Sequence, residues 1–106
     1  VEGRTCLLVD DMIDTAGTIV KAAQALKANG AKKVIVGATH AIFSTPAVER
    51  LQDPAVDRVV VTDTVPVPEH HRFENLTVLS AAPLLARAIQ EVFDDGSVTS
   101  MFDGAA

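Results

Sequence analysis

Three aspartates, two threonines and a pair of small residues fall together in Val9-Asp10-Asp11-Met12-Ile13-Asp14-Thr15-Ala16-Gly17-Thr18. Residue types at this spacing can hold a phosphate beside a sugar. An apolar run precedes the segment and a helical pattern follows it, so its second half falls at a helix start, where unpaired amides favour an anion. Ala16 and Gly17 let the main chain approach phosphate oxygens closely, Thr15 and Thr18 offer hydroxyls, and Asp14 can accept bonds from first-turn amides. Asp10 and Asp11 would repel a bare anion. They suit a ligand that also carries hydroxyls: vicinal ribose hydroxyls donate to the carboxylates, the 5-phosphate takes the amides, and Mg2+ relieves the remaining repulsion. A lone Asp-Asp pair would read more simply as a polar strand end and helix cap. The third aspartate, followed at once by Thr-Ala-Gly-Thr, argues for a site instead. Neither the Gly-Lys-Thr ending of a Walker loop nor the Gly-x-Gly-x-x-Gly dinucleotide pattern is present.

Such a segment needs a strand before it and a helix after it. Thr5 to Val9 is a short continuous apolar run, the pattern of a strand buried on both faces. From Thr15 to Asn29, Ile19, Ala22, Ala23 and Leu26 share one helical stripe opposite Lys21 and Gln24, and Gly30 supplies a left-handed stop. Val34 to Thr39 predicts a second strand, Thr45 to Leu51 a short helix with Pro46 in its first turn, and Val59 to Thr62 a third strand. A Pro-rich connector, Val65 to Arg72, leads to a short strand at Leu76 to Leu79. Ser80 can cap a last helix whose Leu84, Leu85, Ala88, Ile89 and Val92 recur at the helical period. Asp94 to Ala106 reads as a tail anchored only by Phe93 and Phe102. Strands alternating with helices imply an α/β fold with a doubly wound, mostly parallel sheet, whose ligands sit beyond the carboxyl ends of the strands. So few strands with open edges make an incomplete domain, and association with further copies or further chain is expected.

With 106 residues, 48% hydrophobic and 22% charged, the chain can build one modest core. No apolar run approaches the roughly 20 residues of a membrane span, so no membrane partner is expected. The formal charge of -5 argues against nucleic acid, whose binding rests on Lys and Arg. The start, Val1-Glu2-Gly3-Arg4, shows neither an initiator Met nor a signal region, so the chain reads as a piece of a longer, cytoplasmic protein. The single cysteine, Cys6, reads as a buried and inert thiol, in keeping with a reducing compartment.

The segment Asp10 to Thr18, with its apolar lead-in, resembles the phosphoribosyl-binding signature of type I phosphoribosyltransferase folds, and most of all that of the phosphoribosyl pyrophosphate synthetase family. The resemblance continues through Ala38 to Ser44, Val61 to Thr64, Leu79 to Leu85 and Gly96 to Phe102, and so covers essentially the whole chain. It implies a C-terminal, ribose-5-phosphate-binding portion of a homo-oligomeric enzyme that transfers diphosphate from MgATP to ribose 5-phosphate, leaving AMP. By matching positions, Asp10 and Asp11 would address the ribose hydroxyls, and Asp14, Thr15, Ala16, Gly17 and Thr18 the 5-phosphate. The family's ATP-binding segment, mobile-loop Lys and Arg, and metal-binding His match nothing here, so no catalytic or metal-ligating residue is assigned and the chain alone is expected to be inactive. Ser97-Val98-Thr99 resembles a tail segment that binds regulatory phosphate or ADP in the family. Asp63 stands where the family leads one to expect Asn. His40 reads as a structural residue at the ligand edge, and His70 and His71 as solvent-exposed. Two alternatives remain: a phosphoribosyltransferase of nucleotide synthesis or salvage, and a non-catalytic synthetase-associated regulatory protein.

Overall fold

The computed structural model describes residues 1–94. Four strands, β1 (Thr5–Ile13), β2 (Lys33–Ala41), β3 (Arg58–Thr62) and β4 (Leu76–Leu79), form one sheet in the order β1-β2-β3-β4 with every pairing parallel. Helix α1 (Gly17–Ala28) joins β1 to β2, the single-turn α2 (Ala47–Arg50) joins β2 to β3, and α3 (Ala82–Phe93) follows β4. The strand order advances in one direction, so the reversal that defines a doubly wound sheet is absent among the described residues. Right-handed crossovers in a one-way sheet carry successive helices to the same face.

Strand alternation and register explain the burial. Cys6, Leu8, Val34, Val36, Ala38, Val59 and Val61 fall on one face in register, and this face meets Val20 and Ala23 of α1 and Ala47 and Leu51 around α2. Full burial of such an aliphatic side chain stabilises by roughly 1.5–3 kcal/mol. The opposite face is uncovered at β1, where Leu7 is 64% and Val9 73% exposed. The strand is therefore not buried on both faces as its apolar run suggests. Cys6 is only half-buried, because it lies on the edge strand rather than in the sheet centre.

Helix α1 turns Val20 and Ala23 inward, with Ile19 and Leu26 flanking, so its buried stripe centres on Val20 rather than Ala22. It ends at Gly30, φ +94°, where the Gly30 amide donates to the Lys27 carbonyl and the Ala31 amide to the Leu26 carbonyl, a Schellman stop. Helix α3 keeps the expected period but buries no residue, and Leu85, Ile89 and Val92 stay exposed. Ser80 precedes its N-cap Ala81, yet the Ser80 hydroxyl accepts the Ala82 amide at 3.2 Å. The tail beyond Asp94, with Ser97, Val98, Thr99 and Phe102, lies outside the described residues.

Candidate functional site

The acidic segment is not a loop throughout. β1 continues through Asp10, Asp11 and Met12 to Ile13, because Asp10 pairs with Ala38, Met12 with His40 and Ile13 with Ala41. A ladder supplied by residues 28 or so positions away overrides the local polar signal, which marked the strand as ending at Val9. Successive strand residues point to opposite faces, so Asp10 and Asp11 diverge. Asp10 turns its Oδ1 back to accept the Asp11 amide at 2.7 Å. The end of the strand is pinned by the Ile13 carbonyl, which accepts the amides of Ile42 at 3.1 Å and Phe43 at 3.0 Å.

The chain then turns abruptly into α1. Ala16 is the N-cap, with φ 66° and ψ 6°, a left-handed conformation that a non-glycine residue seldom adopts. Val20 donates to the Ala16 carbonyl at 3.1 Å, which starts the helix ladder and leaves the amides of Gly17, Thr18 and Ile19 without acceptors among the described residues. No side chain caps this helix. The expected capping by Asp14 is therefore not made, and the first-turn amides stay free. A concavity of about 150 Å3 opens here, lined by Asp10, Met12, Asp14, Thr15, Ala16, Gly17, Thr18 and their apolar neighbours Ile13 and Ile19. Asp10, Asp14 and Thr15 to Thr18 thus come together, while Asp11 is not among the lining residues. The lining thus combines carboxylates with residues whose amides are unpaired, the groups a hydroxyl-bearing anion requires.

A model of the phosphoribosyl synthetase-associated domain matches residues 1–103. The chain belongs to that family. The chain is 56% identical over 106 residues to a ribose-phosphate pyrophosphokinase of Mycobacterium leprae, covering 100% of the chain and 32% of that relative. A ribose-phosphate pyrophosphokinase of Bifidobacterium longum is 59% identical over 103 residues, covering 97% of the chain and 30% of the relative. Among solved structures, the crystal structure of phosphoribosylpyrophosphate synthetase from Mycobacterium smegmatis superposes with a TM-score of 0.84 at 53% identity, covering 91% of the domain and 32% of that chain. The domain spans about a third of the length of the curated relatives it matches. These matches lend no support to the C-terminal placement expected from the sequence.

The neighbouring strand ends of the domain are tied by hydroxyls. Thr62 Oγ1 donates to the Thr39 carbonyl at 2.6 Å, and His40 Nδ1 shares a 2.7 Å hydrogen bond with Thr64 Oγ1. His40 is engaged within β2 rather than following it, which fits a structural role. Asp63 Oδ1 accepts the Ala81 amide at 2.8 Å and so fastens β3 to the entry of α3; an Asn carbonyl could make the same bond. His70 is exposed and His71 half-buried in a short turn, Glu69–His71. Among the described residues no three His, Cys, Asp or Glu groups converge to hold a metal, and no helix is long and apolar enough to cross a membrane. One residue at this site escaped the sequence reading. Arg50, at the end of α2, donates from Nη1 to the Thr15 carbonyl at 3.2 Å, and nothing local in the sequence marks that contact across 35 positions.

Proposed function

We propose that the β1–α1 junction binds ribose 5-phosphate as the acceptor-sugar site of a ribose-phosphate diphosphokinase. The observation that carries this reading is that Gly17, Thr18 and Ile19, whose amides are unpaired among the described residues, line one concavity with Asp10 and Asp14. The amides, with the Thr15 and Thr18 hydroxyls, take the 5-phosphate. Asp10 and Asp14 accept from ribose hydroxyls, because a carboxylate gains nothing from a phosphate oxygen but forms short, charge-assisted bonds to O–H donors. The relatives are ribose-phosphate pyrophosphokinases, in agreement with a substrate of this class.

In the longer protein the reaction moves diphosphate from ATP to the anomeric hydroxyl of the bound sugar, giving phosphoribosyl pyrophosphate and AMP for nucleotide biosynthesis. Positioning dominates such transfers, and positioning the acceptor is the part these residues perform. The donor set fits Mg2+ only in a limited way: Asp10 and Asp14 offer two carboxylates, enough to touch an ion that keeps its waters and substrate phosphates, and too few for an all-protein cage. That ion would offset charge between the acceptor and ATP. We further infer a cytoplasmic homo-oligomer in which this sheet is one part of a phosphoribosyltransferase-like domain. The chain alone holds the sugar phosphate and turns nothing over.

Titrating ribose 5-phosphate and inorganic phosphate into the chain, with amide chemical shifts as the readout, tests the assignment. Ribose 5-phosphate binds more tightly than phosphate and moves the amides of Thr15 to Thr18. Asp14→Asn erases that preference and strengthens inorganic phosphate, since it removes a repelling charge. Absence of any shift at Thr15 to Thr18 with either ligand sinks the proposal.

A further inference from the structure

Arg50 sits behind the phosphate cradle rather than in it. It lines a separate cleft with Gly17, Thr18, Lys21, Gln24 and Asp53, and it is not among the residues lining the concavity that holds Asp10 and Asp14. From that cleft its Nη1 donates to the Thr15 carbonyl at 3.2 Å. Among the described residues this is the one side-chain hydrogen bond that another element makes to the backbone of Asp14 to Thr18. Packing against the loop is equally close: a Cβ added at Gly17 would stand 2.9 Å from the same nitrogen.

The consequence follows from peptide planarity. In a trans peptide the carbonyl and the following N–H point in opposite directions, so fixing one fixes the other. Drawing the Thr15 carbonyl toward α2 turns the Ala16 N–H away from α2. That peptide leads directly into Ala16, whose left-handed conformation costs roughly 1–2 kcal/mol and needs surrounding structure to hold it. α1 has no side-chain cap to do so. We propose that Arg50 is a positioning residue for the phosphate-binding amides: its guanidinium holds the Thr15–Ala16 peptide, and with it the left-handed turn at Ala16 that aims the Gly17, Thr18 and Ile19 amides at the ligand. This deepens the ribose 5-phosphate reading and rests on it. A short α2 then has a function beyond linking β2 to β3, since it carries the guanidinium to the loop.

The test uses the same chain with Arg50→Gln and Arg50→Lys, first without ligand. Arg50→Gln shifts the Thr15 carbonyl carbon and speeds amide exchange at Val20, whose bond to the Ala16 carbonyl opens the helix ladder, while the amides of Val34 and Val36 keep their protection. With ribose 5-phosphate, Arg50→Gln weakens binding by about tenfold, the loss of one charge-assisted hydrogen bond. Arg50→Lys keeps the charge but does not reproduce the Thr15 signal, and added guanidinium ion recovers affinity for Arg50→Gln where potassium does not. Wild-type affinity in Arg50→Lys without the Thr15 signal would overturn the inference, because charge alone would then suffice. So would an unchanged Thr15 carbonyl in Arg50→Gln. Should Arg50→Gln lose its core amides, Gly17→Ala gives the decision instead: its methyl displaces the guanidinium without removing it, and an unmoved Thr15 carbonyl again refutes the role. If wild type shows no ligand shift, the ribose 5-phosphate reading fails, yet the ligand-free signals still judge Arg50.

Discussion

Replacing Ala16 by Gly should leave stability nearly unchanged, although Ala16 is buried and begins a helix. Its φ of 66° and ψ of 6° put the backbone where a Cβ crowds the following carbonyl, at roughly 1–2 kcal/mol. Glycine removes that crowding. Against the relief stand the loss of a buried methyl, about 0.8 kcal/mol, and the greater freedom of glycine in the unfolded chain, about 0.4–1 kcal/mol. The opposing contributions cancel to within about 1 kcal/mol. Ala23 is the internal control, being fully buried in the middle of the same helix with ordinary helical geometry. Ala23→Gly gives up helix propensity and a buried methyl with no strain to relieve, and should cost close to ~2 kcal/mol. Urea unfolding followed by far-ultraviolet circular dichroism measures both, with the free energies taken by linear extrapolation. Equal losses for the two variants would refute the reasoning, because they would mean that Ala16 bears no left-handed strain and that the turn into the cradle is relaxed.

Two further perturbations probe the frame that carries the site. Asp57 accepts Lys27 Nζ at 2.8 Å and the Val34 amide at 2.7 Å, and these two bonds hold its carboxyl below the usual carboxylate value. Because the folded value is depressed, the stabilisation is full above the unfolded pKa of about 3.9 and is lost as pH falls through the lower folded value. Asp57→Asn should cost about 1 kcal/mol at neutral pH, a figure discounted for the partial exposure of the pair, and should flatten the acid limb of stability against pH; parallel acid limbs in the two proteins would contradict it. Leu51→Ala removes a fully buried side chain beside α2 and should cost about 2–5 kcal/mol in urea unfolding. A loss under about 1 kcal/mol would mean that α2 is not seated on the core as described.

Much of the fold was legible because its signals are local. The apolar runs of β2, β3 and β4, the helical periods of α1 and α3, and the stop at Gly30 all appear in the sequence and recur in the structure with ends shifted by a few residues. α2 is shorter than the predicted Thr45 to Leu51, because Pro46 serves as its N-cap rather than lying within its first turn. The grouping of Asp14 to Thr18 at a strand-to-helix junction was also readable, since small residues and hydroxyls before a helical stripe have a direct geometric meaning.

By itself, then, the sequence determined the element types, the parallel α/β class and the chemistry available at residues 10–18, each of which depends on neighbours in the chain. Tertiary structure decided what depends on distant partners. Pairing with Ala38, His40 and Ala41 carried β1 on to Ile13 and separated Asp11 from Asp10, since a strand must alternate its faces. The one-way strand order left Leu7 and Val9 uncovered, a property of topology that no apolar run can encode. The left-handed turn at Ala16 carries no mark such as glycine in the sequence, and the Arg50 bond to Thr15 needs α2 beside α1, a contact across 35 positions with no local signature.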